Sequence, residues 1–348
     1  MFKWTETLQN WFERERRDFP WRQNLTPYRV WVAEVMLQQT RASVVVPYFL
    51  RWMEAFPNIS ALATAKLENI LKQWEGLGYY SRARHLHAAA KQIVSEFRGE
   101  IPSSEEELSR LKGVGPYTRA AILSFAFHQK KAAVDGNVLR VIARLFAIEE
   151  VVDRRSVQQK IQALAEAALP DDKPWVIAEA LIELGATVCT KQPKCLVCPV
   201  QSHCLSFQKQ IQHKIPIKLP KIPVTSLFRA AIVLRHANRF FVKKQPQGSL
   251  MGDLYEFPYF PSSATIPSFR EIQERIEREL FLQADFFQIL PIIHHTFTRY
   301  KALLYPYLFT VRSLCSYPED GEWLTLEELE KKPFSSGHKQ ILRFLQQQ

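Results

Sequence analysis

Four of the chain's five cysteines crowd into one run, "CTKQPKCLVCPVQSHC", where Cys189, Cys195, Cys198 and Cys204 follow the pattern C-x5-C-x2-C-x5-C. Thiols this close, in a chain without a secretory signal, suit a metal site better than disulfides, because a reducing compartment keeps cysteines as thiols. Zinc normally takes paired C-x2-C knuckles from two places, whereas one knuckle flanked by two outlying cysteines is closer to a compact loop around a [4Fe-4S] cluster. The spacing favours the cluster and leaves zinc open. Lys191 and Lys194, inside the loop, suggest a surface that lies against phosphate.

The lack of a secretory signal is read from the first residues, "MFKWTETLQNWFERERRDF", an amphipathic run dense in charge rather than continuously apolar. No stretch approaches the roughly 20 uninterrupted apolar residues that span a bilayer. The expected protein is soluble and cytoplasmic, associated with the nucleoid if bacterial. Its 348 residues give room for two domains with separate cores, and 47% apolar with 23% charged residues excludes a disordered chain.

Net charge points to a polyanion. The chain carries +11 with a pI near 9.4. From Gly185 to Gly252 there are eleven Lys or Arg and no Asp or Glu in 68 residues. A solvated basic face would normally intersperse acids, so a segment facing phosphates is the better reading.

Residues 1 to about 208 read as consecutive amphipathic helices. Ser103-Ser104-Glu105-Glu106-Glu107 supplies an N-cap and first-turn acids for a helix expected to end at Gly113. Between 209 and 225, "KQIQHKIPIKLPKIPVT" has three prolines and no helical period, which is linker chemistry. Beyond it, "FRAAIVLRHANRFFVKKQP" reads as two β-prone runs around Ala237-Asn238, "YKALLYPYLFTVR" as another strand and "SFREIQERIERELF" as a helix.

Three further motifs carry chemistry. In "LKGVGPYTRAAILSF", Gly113 and Gly115 form a turn that opens a helix with Pro116 early in it, either a tight helix-helix connection or an anion site for DNA phosphate. In "AAVDGNVLRVIARLF", Asp135 between two apolar runs reads as an N-cap for the following helix, with a role in chemistry as the alternative. In "VWVAEVMLQQT", helical spacing puts Glu34 on the face of Val30, Leu37 and Gln38. A carboxylate there needs either an arginine partner or a raised pKa that would let it donate a proton near neutral pH.

Taken in order, "FPWRQNLTPYRVWVAEVMLQQT", "GLGYYSRARHLHAAA", "LKGVGPYTRAAILSFAF", "VDGNVLR", "AEALIELGATVC" and the cysteine loop resemble the helix-hairpin-helix DNA glycosylases, and within them the adenine DNA glycosylases of the MutY type. The resemblance covers essentially the whole chain. It implies a multidomain protein: an all-α catalytic region (1–208) with the hairpin at about 105–125 and a [4Fe-4S] loop at 189–204, a basic linker (209–225), and an α+β Nudix-like 8-oxoguanine recognition domain (226–348). "SLMGDLYEFP" and "HHTFTRYKALL" carry the likeness in that last part.

The resemblance further implies that Glu34 protonates adenine and Asp135 stabilises the cationic sugar, with Tyr117 near the sugar and Asn137 beside the carboxylates. Two carboxylates in different environments suit the cleavage of an N-glycosidic bond, which needs a proton on the leaving base and negative charge near the sugar. Trp21, Arg22 and Glu179 are placed around the flipped adenine, and Gln39, Thr40 and Tyr79 around the opposite 8-oxoguanine. Gly113 and Gly115 are placed on DNA phosphate, and the four cysteines on the cluster. Relatives that act as lyases carry lysine where this chain has Tyr117, so a monofunctional hydrolase is expected.

The expected partner is double-stranded DNA with A:8-oxoguanine or A:G mispairs, met by a monomer without a membrane. The chain departs from the family at two places. Its first cysteine interval is one residue short, and the Phe-Ser-His recognition turn reads Phe297-Thr298-Arg299. Threonine keeps a hydroxyl, but arginine has neither the shape nor the charge of neutral histidine. The helix "FREIQERIEREL" lacks the Gly and the Glu-Glu spacing of a Nudix box, so no pyrophosphatase activity is expected. The rival readings are an endonuclease III-like glycosylase/lyase and a non-catalytic DNA-damage binding protein.

Overall fold

The computed structural model describes residues 2–220, 223–249, 251–297, 299–313 and 321–347. Thr298 lies outside them. The chain divides into two compact units, Met1–Thr64 with His85–Lys221, and Ala65–Arg84 with Ile222–Gln348. The second division is unexpected from the sequence, because it takes a piece of the helical region into the C-terminal unit.

The first unit is helical. Its core joins the N-terminal helix Trp4–Glu15, through Leu8 and Phe12, to Val138, Val141 and Ile142 of helix Gly136–Leu145, Ile161 of helix Arg155–Ala167, and Ile177, Leu181 and Leu184 of helix Pro174–Thr187. Ser104 caps helix Glu105–Arg110 by accepting from the Glu107 N–H, as its position before three glutamates predicts. That helix stops three residues short of Gly113, because Leu111 is already extended and its N–H turns back to Leu108.

Gly113 has φ +80°, and a Cβ there would lie 2.5 Å from the His85 Cβ. Both facts demand glycine. Gly115 is different: its backbone suits any residue, and a Cβ would meet nothing within 4 Å. Helix Pro116–Ala121 follows and passes into a π-helical turn, Ile122–Ala126.

Part of the proline-containing stretch is fixed. Ile215 is buried in the helical core and its carbonyl accepts from Arg144 Nε at 3.0 Å, while the Val152 N–H donates to the Ile217 carbonyl and the Leu219 N–H to Asp153.

In the second unit the described strands are β1 Thr225–His236, β2 Arg239–Lys244, β3 Tyr255–Glu256, β4 Tyr259–Pro261, β5 Ala284–Ile289, β6 Ile293–Phe297, β7 Tyr300–Val311 and β8 Glu322–Thr325. The sheet runs β3-β2-β1-β7-β5, with β4 on β1, β6 on β7 and β8 on β2. Strand β1 is parallel to β7 and antiparallel to β2.

Both faces are covered. Ala231 and Val233 pack towards Ile341 and Leu342 of helix Ser336–Gln346, and Ala230, Ile232 and Leu234 towards Ile272 and Ile276 of helix Phe269–Leu280. This explains why "AAIVL" is apolar without alternation: both pleat directions meet a core. None of the helices among the described residues is long and apolar enough to cross a membrane.

Candidate active site

A cleft of about 1420 Å³ opens in the helical unit and is lined by Trp21, Arg22, Glu34, Gln39, Thr40, Tyr117, Asp135, Asn137 and Glu179 among others. Nine of the residues singled out from the sequence thus line one cleft. Tyr79, Phe297 and Arg299 belong to the other unit.

Glu34 sits in the last turns of helix Pro27–Leu37, whose start is fixed by Pro27 and by the Thr26 hydroxyl accepting from the Arg29 N–H. Its partner is not an arginine. The Tyr117 hydroxyl, from the first turn of the hairpin helix, donates to Glu34 Oε2 at 2.6 Å. Glu34 is 8% exposed, and burial pushes its pKa up to about 7 against the lowering effect of the Tyr117 bond.

Asp135 is the N-cap of helix Gly136–Leu145. Oδ1 accepts from the Asn137 and Val138 N–H groups, both at 2.8 Å, and Oδ2 from Asn137 Nδ2 at 2.6 Å. Burial raises its pKa, and those three donors work against the rise by holding the charged form. The helix cap also lines the cleft.

Asn137 is held in turn by Arg140, whose Nη2 donates to Asn137 Oδ1 at 2.9 Å and whose Nε donates to the Cys189 carbonyl at 2.7 Å. Gly185 is needed where helix Pro174–Thr187 crosses this turn, since a Cβ would lie 2.6 Å from the Asn137 Cβ.

Also in the cleft lining, Arg22 meets Glu179 at 3.1 Å and Glu183 at 3.0 Å, and Arg17 meets Glu183 at 2.5 Å. Burial opposes ionisation of Glu183, but the two guanidiniums outweigh it and lower its pKa. Glu179 is raised, chiefly by burial, with Arg22 opposing. Trp21 is buried and stacked on Phe19 at 4.7 Å.

Arg17 and Glu183 were missed in the sequence. The signal for Glu183 was its place one turn after Glu179 on an otherwise apolar helix. Arg17, in a charged N-terminal run, gave none.

Helix Pro27–Leu37 ends in Gln38, whose amide donates to the Thr118 hydroxyl at 3.1 Å. The chain then turns through exposed Gln39, with φ +56°, and half-buried Thr40. Tyr79 is 45% exposed with φ +48°. Phe297 closes β6 against Tyr300, and Arg299 donates to the Tyr300 hydroxyl at 3.1 Å.

The four cysteines are free thiols and line one small space of about 20 Å³, together with Arg144, Val188, Pro193 and Phe207. Arg144 organises the loop: Nη1 donates to the Thr190 carbonyl at 2.6 Å and reaches Cys189 Sγ at 3.3 Å, and Nη2 donates to the Lys191 carbonyl. Burial pushes the Cys198 thiol up to about 12 and also raises Cys195 and Cys204. Thiols in such surroundings become good ligands once a cationic centre offsets that cost. Among the described residues no three His, Cys, Asp or Glu converge tightly enough to enclose a single metal ion. The thiols instead surround a shared space.

With this geometry in view, residues 32–167 match the HhH-GPD superfamily of base excision DNA repair proteins and residues 229–344 match the NUDIX domain. A human protein named adenine DNA glycosylase is 32% identical over 410 residues, spanning 98% of this chain and 74% of the relative. One of the same name from Buchnera aphidicola subsp. Schizaphis graminum is 32% identical over 262 residues, 75% of this chain and 76% of the relative. A solved thermostable thymine-DNA glycosylase aligns with a TM-score of 0.54 at 28% identity, over 59% of this chain and 95% of that one.

A helix-hairpin-helix repair region followed by a Nudix-like domain is therefore the class of protein this fold defines. Within it, the chain belongs to the adenine DNA glycosylase family of base-excision DNA repair enzymes.

Proposed function

We propose that the chain excises adenine mispaired with 8-oxoguanine, and also with guanine, from duplex DNA as a monofunctional hydrolase. The observation that carries this reading is the pairing of Glu34 with Tyr117 at 2.6 Å in the same cleft as Asp135. Flipping the adenine costs a few kcal/mol of unstacking, which Gln39, Thr40 and Tyr79 offset by filling the gap and holding the opposite base.

In the flipped complex Glu34 carries its proton on Oε1, because Oε2 is occupied as acceptor from Tyr117. The proton passes to a ring nitrogen of adenine as the C1′–N9 bond breaks, and the bonding electrons leave with the purine. Positive charge then develops on the sugar. Ionised Asp135, fixed by the donors of Asn137 and Val138, faces that charge until water adds to C1′ and gives its proton to the Glu34 carboxylate, which restores the acid. Arg22 and Glu179, aligned by Glu183, read the base edge, and the turn around Gly113 and Gly115 takes a phosphate.

The lyase alternative needs a lysine at the sugar. Lys131 and Lys218 line the cleft, but Lys131 is engaged with Glu105 at 2.6 Å.

The cysteine loop supports a [4Fe-4S] cluster held by Cys189, Cys195, Cys198 and Cys204, since four thiols around a common space suit a multi-iron centre better than one ion. It would supply a structural or redox-active centre that orders the loop presenting Lys191 and Lys194. The expected preparation is brown, with broad visible absorption lost on oxidation. Colourless protein with stoichiometric zinc contradicts it.

Recognition of 8-oxoguanine falls in this reading to the second domain, through Phe297 and Arg299. The test compares single-turnover release of adenine opposite 8-oxoguanine with release opposite guanine. In the Phe297→Ala/Arg299→Ala double variant the preference should fall by about tenfold, the loss of one or two polar or stacking contacts. An unchanged preference removes both residues from recognition.

A further inference from the structure

Chain continuity assigns residues 65–84 to the helical region, and the HhH-GPD match runs straight through them. The contacts assign them elsewhere. Helix Leu67–Trp74 and the turn after it pack as part of the second unit.

The attachment centres on Phe334. Its side chain is fully buried in the core of the second unit, stacked on Phe257 at 5.9 Å. Both of its backbone polar groups are taken by the 65–84 segment: Glu75 Oε1 accepts from the Phe334 N–H at 2.8 Å, and the Tyr80 hydroxyl donates to the Phe334 carbonyl at 3.0 Å. Around that pair, Lys339 meets Glu75 at 3.3 Å, Lys332 meets Glu68 at 3.0 Å, and Lys72 donates to the Lys332 carbonyl at 3.0 Å. Arg84 donates to the Gly252 carbonyl at 2.8 Å.

The turn this anchors is internally braced. Gly76 and Gly78 have φ of +98° and +75°, which few other residues accept. The Gly78 carbonyl takes donors from Trp74 Nε1 at 2.9 Å and Arg82 Nη2 at 3.1 Å, and the Tyr80 hydroxyl accepts from the Gly76 N–H at 3.2 Å. Tyr80 therefore holds the turn with one lone pair and Phe334 with its proton. Tyr79, next in the chain, projects outward from this braced turn.

We propose that the 65–84 segment is a working part of the recognition domain: Glu75 and Tyr80 grip Phe334 so that Tyr79, Phe297 and Arg299 are presented by one compact unit. The functional seam then differs from the chain's domain boundary. Adenine is excised by one unit, while the Tyr79, Phe297 and Arg299 contribution to reading the opposite base comes from the other, which borrows a piece of the helical region. Glu75 and Tyr80 are positioning residues, and this inference rests on the recognition roles given above for Tyr79 and the second domain.

The test is single-turnover adenine release, opposite 8-oxoguanine and opposite guanine, for full-length Tyr80→Phe, Glu75→Gln and the double variant. Tyr80→Phe deletes one oxygen from the clamp and should lower the 8-oxoguanine preference by about threefold, the double variant by about tenfold. Release opposite guanine should change by less than about twofold, because Glu34 and Asp135 lie in the other unit. A merely structural clamp would lower both substrates together, and that result, or an unchanged ratio, overturns the proposal. If the double variant does not fold, Tyr80→Phe alone decides.

Tyr79→Ala in the full chain separates the two claims. If it too leaves the ratio unchanged, the recognition role of Tyr79 has failed. If it lowers the ratio while the clamp variants do not, only the clamp has.

Discussion

Glu34→Gln is expected to lower adenine release opposite 8-oxoguanine by about 10³-fold in single turnover, within the range that a positioned general acid contributes. Binding to the mispaired duplex should change little, because glutamine keeps the shape and still accepts from Tyr117. The wild-type rate has a pH signature. With the Glu34 pKa pushed up to about 7 by burial, the proton-bearing form is full below that value and lost above it, so release falls as pH rises through 7.

The same shift has a stability sign. Folded Glu34 holds its proton more tightly than the unfolded chain, so the folded state loses stability as pH rises from about 4.5 to about 7 and not beyond. Glu34→Gln removes that loss and should stabilise the protein at pH 8 by an amount on the order of 3 kcal/mol. A variant that is dead but more stable, measured by thermal unfolding at pH 5 and pH 8, is the expected outcome. Equal stability at both pH values contradicts a buried proton-holding Glu34.

Asp135 allows its two roles to be separated. Asparagine caps a helix as well as aspartate does but carries no charge, so Asp135→Asn should keep the cap, losing only the bond from Asn137 Nδ2, while lowering release by about 10²- to 10³-fold, the cost of losing one preorganised electrostatic group. Asp135→Ala should lose a similar rate factor and, in addition, about 1 kcal/mol of stability through the unsatisfied Asn137 and Val138 N–H groups. If Asp135→Asn releases adenine at nearly the wild-type rate, Asp135 is a cap only.

Local chemistry was legible in the sequence where the governing interaction was local. Ser104 before three glutamates, Asp135 before a helix and Glu34 amid apolar neighbours each declared a cap or a buried charge within four residues. The strands flanking Ala237-Asn238 were equally plain from their β-branched and aromatic content. The partner of Glu34 was another matter: the bare residues left an arginine or a raised pKa open, and the hydroxyl that meets it comes from Tyr117, 83 residues away, while burial raises its pKa.

Other features were illegible for the same reason. Arg17 pairs with a carboxylate 166 residues distant, and Tyr80 with a carbonyl 254 residues distant. No periodicity encodes such pairs. Segment 65–84 looks like any amphipathic helix and turn, and its allegiance to the second unit is set by where Phe334 and two lysines arrive in space. The linker was read from its prolines, yet Ile215 buries into the helical core because an apolar residue flanked by donors from Arg144 finds a site there.

The central claim is most directly tested with the full chain and a duplex carrying one adenine opposite 8-oxoguanine. The account predicts free adenine and an intact abasic strand, with no covalent adduct trapped by borohydride. Tight binding without base release, or an adduct trapped in high yield, would contradict it.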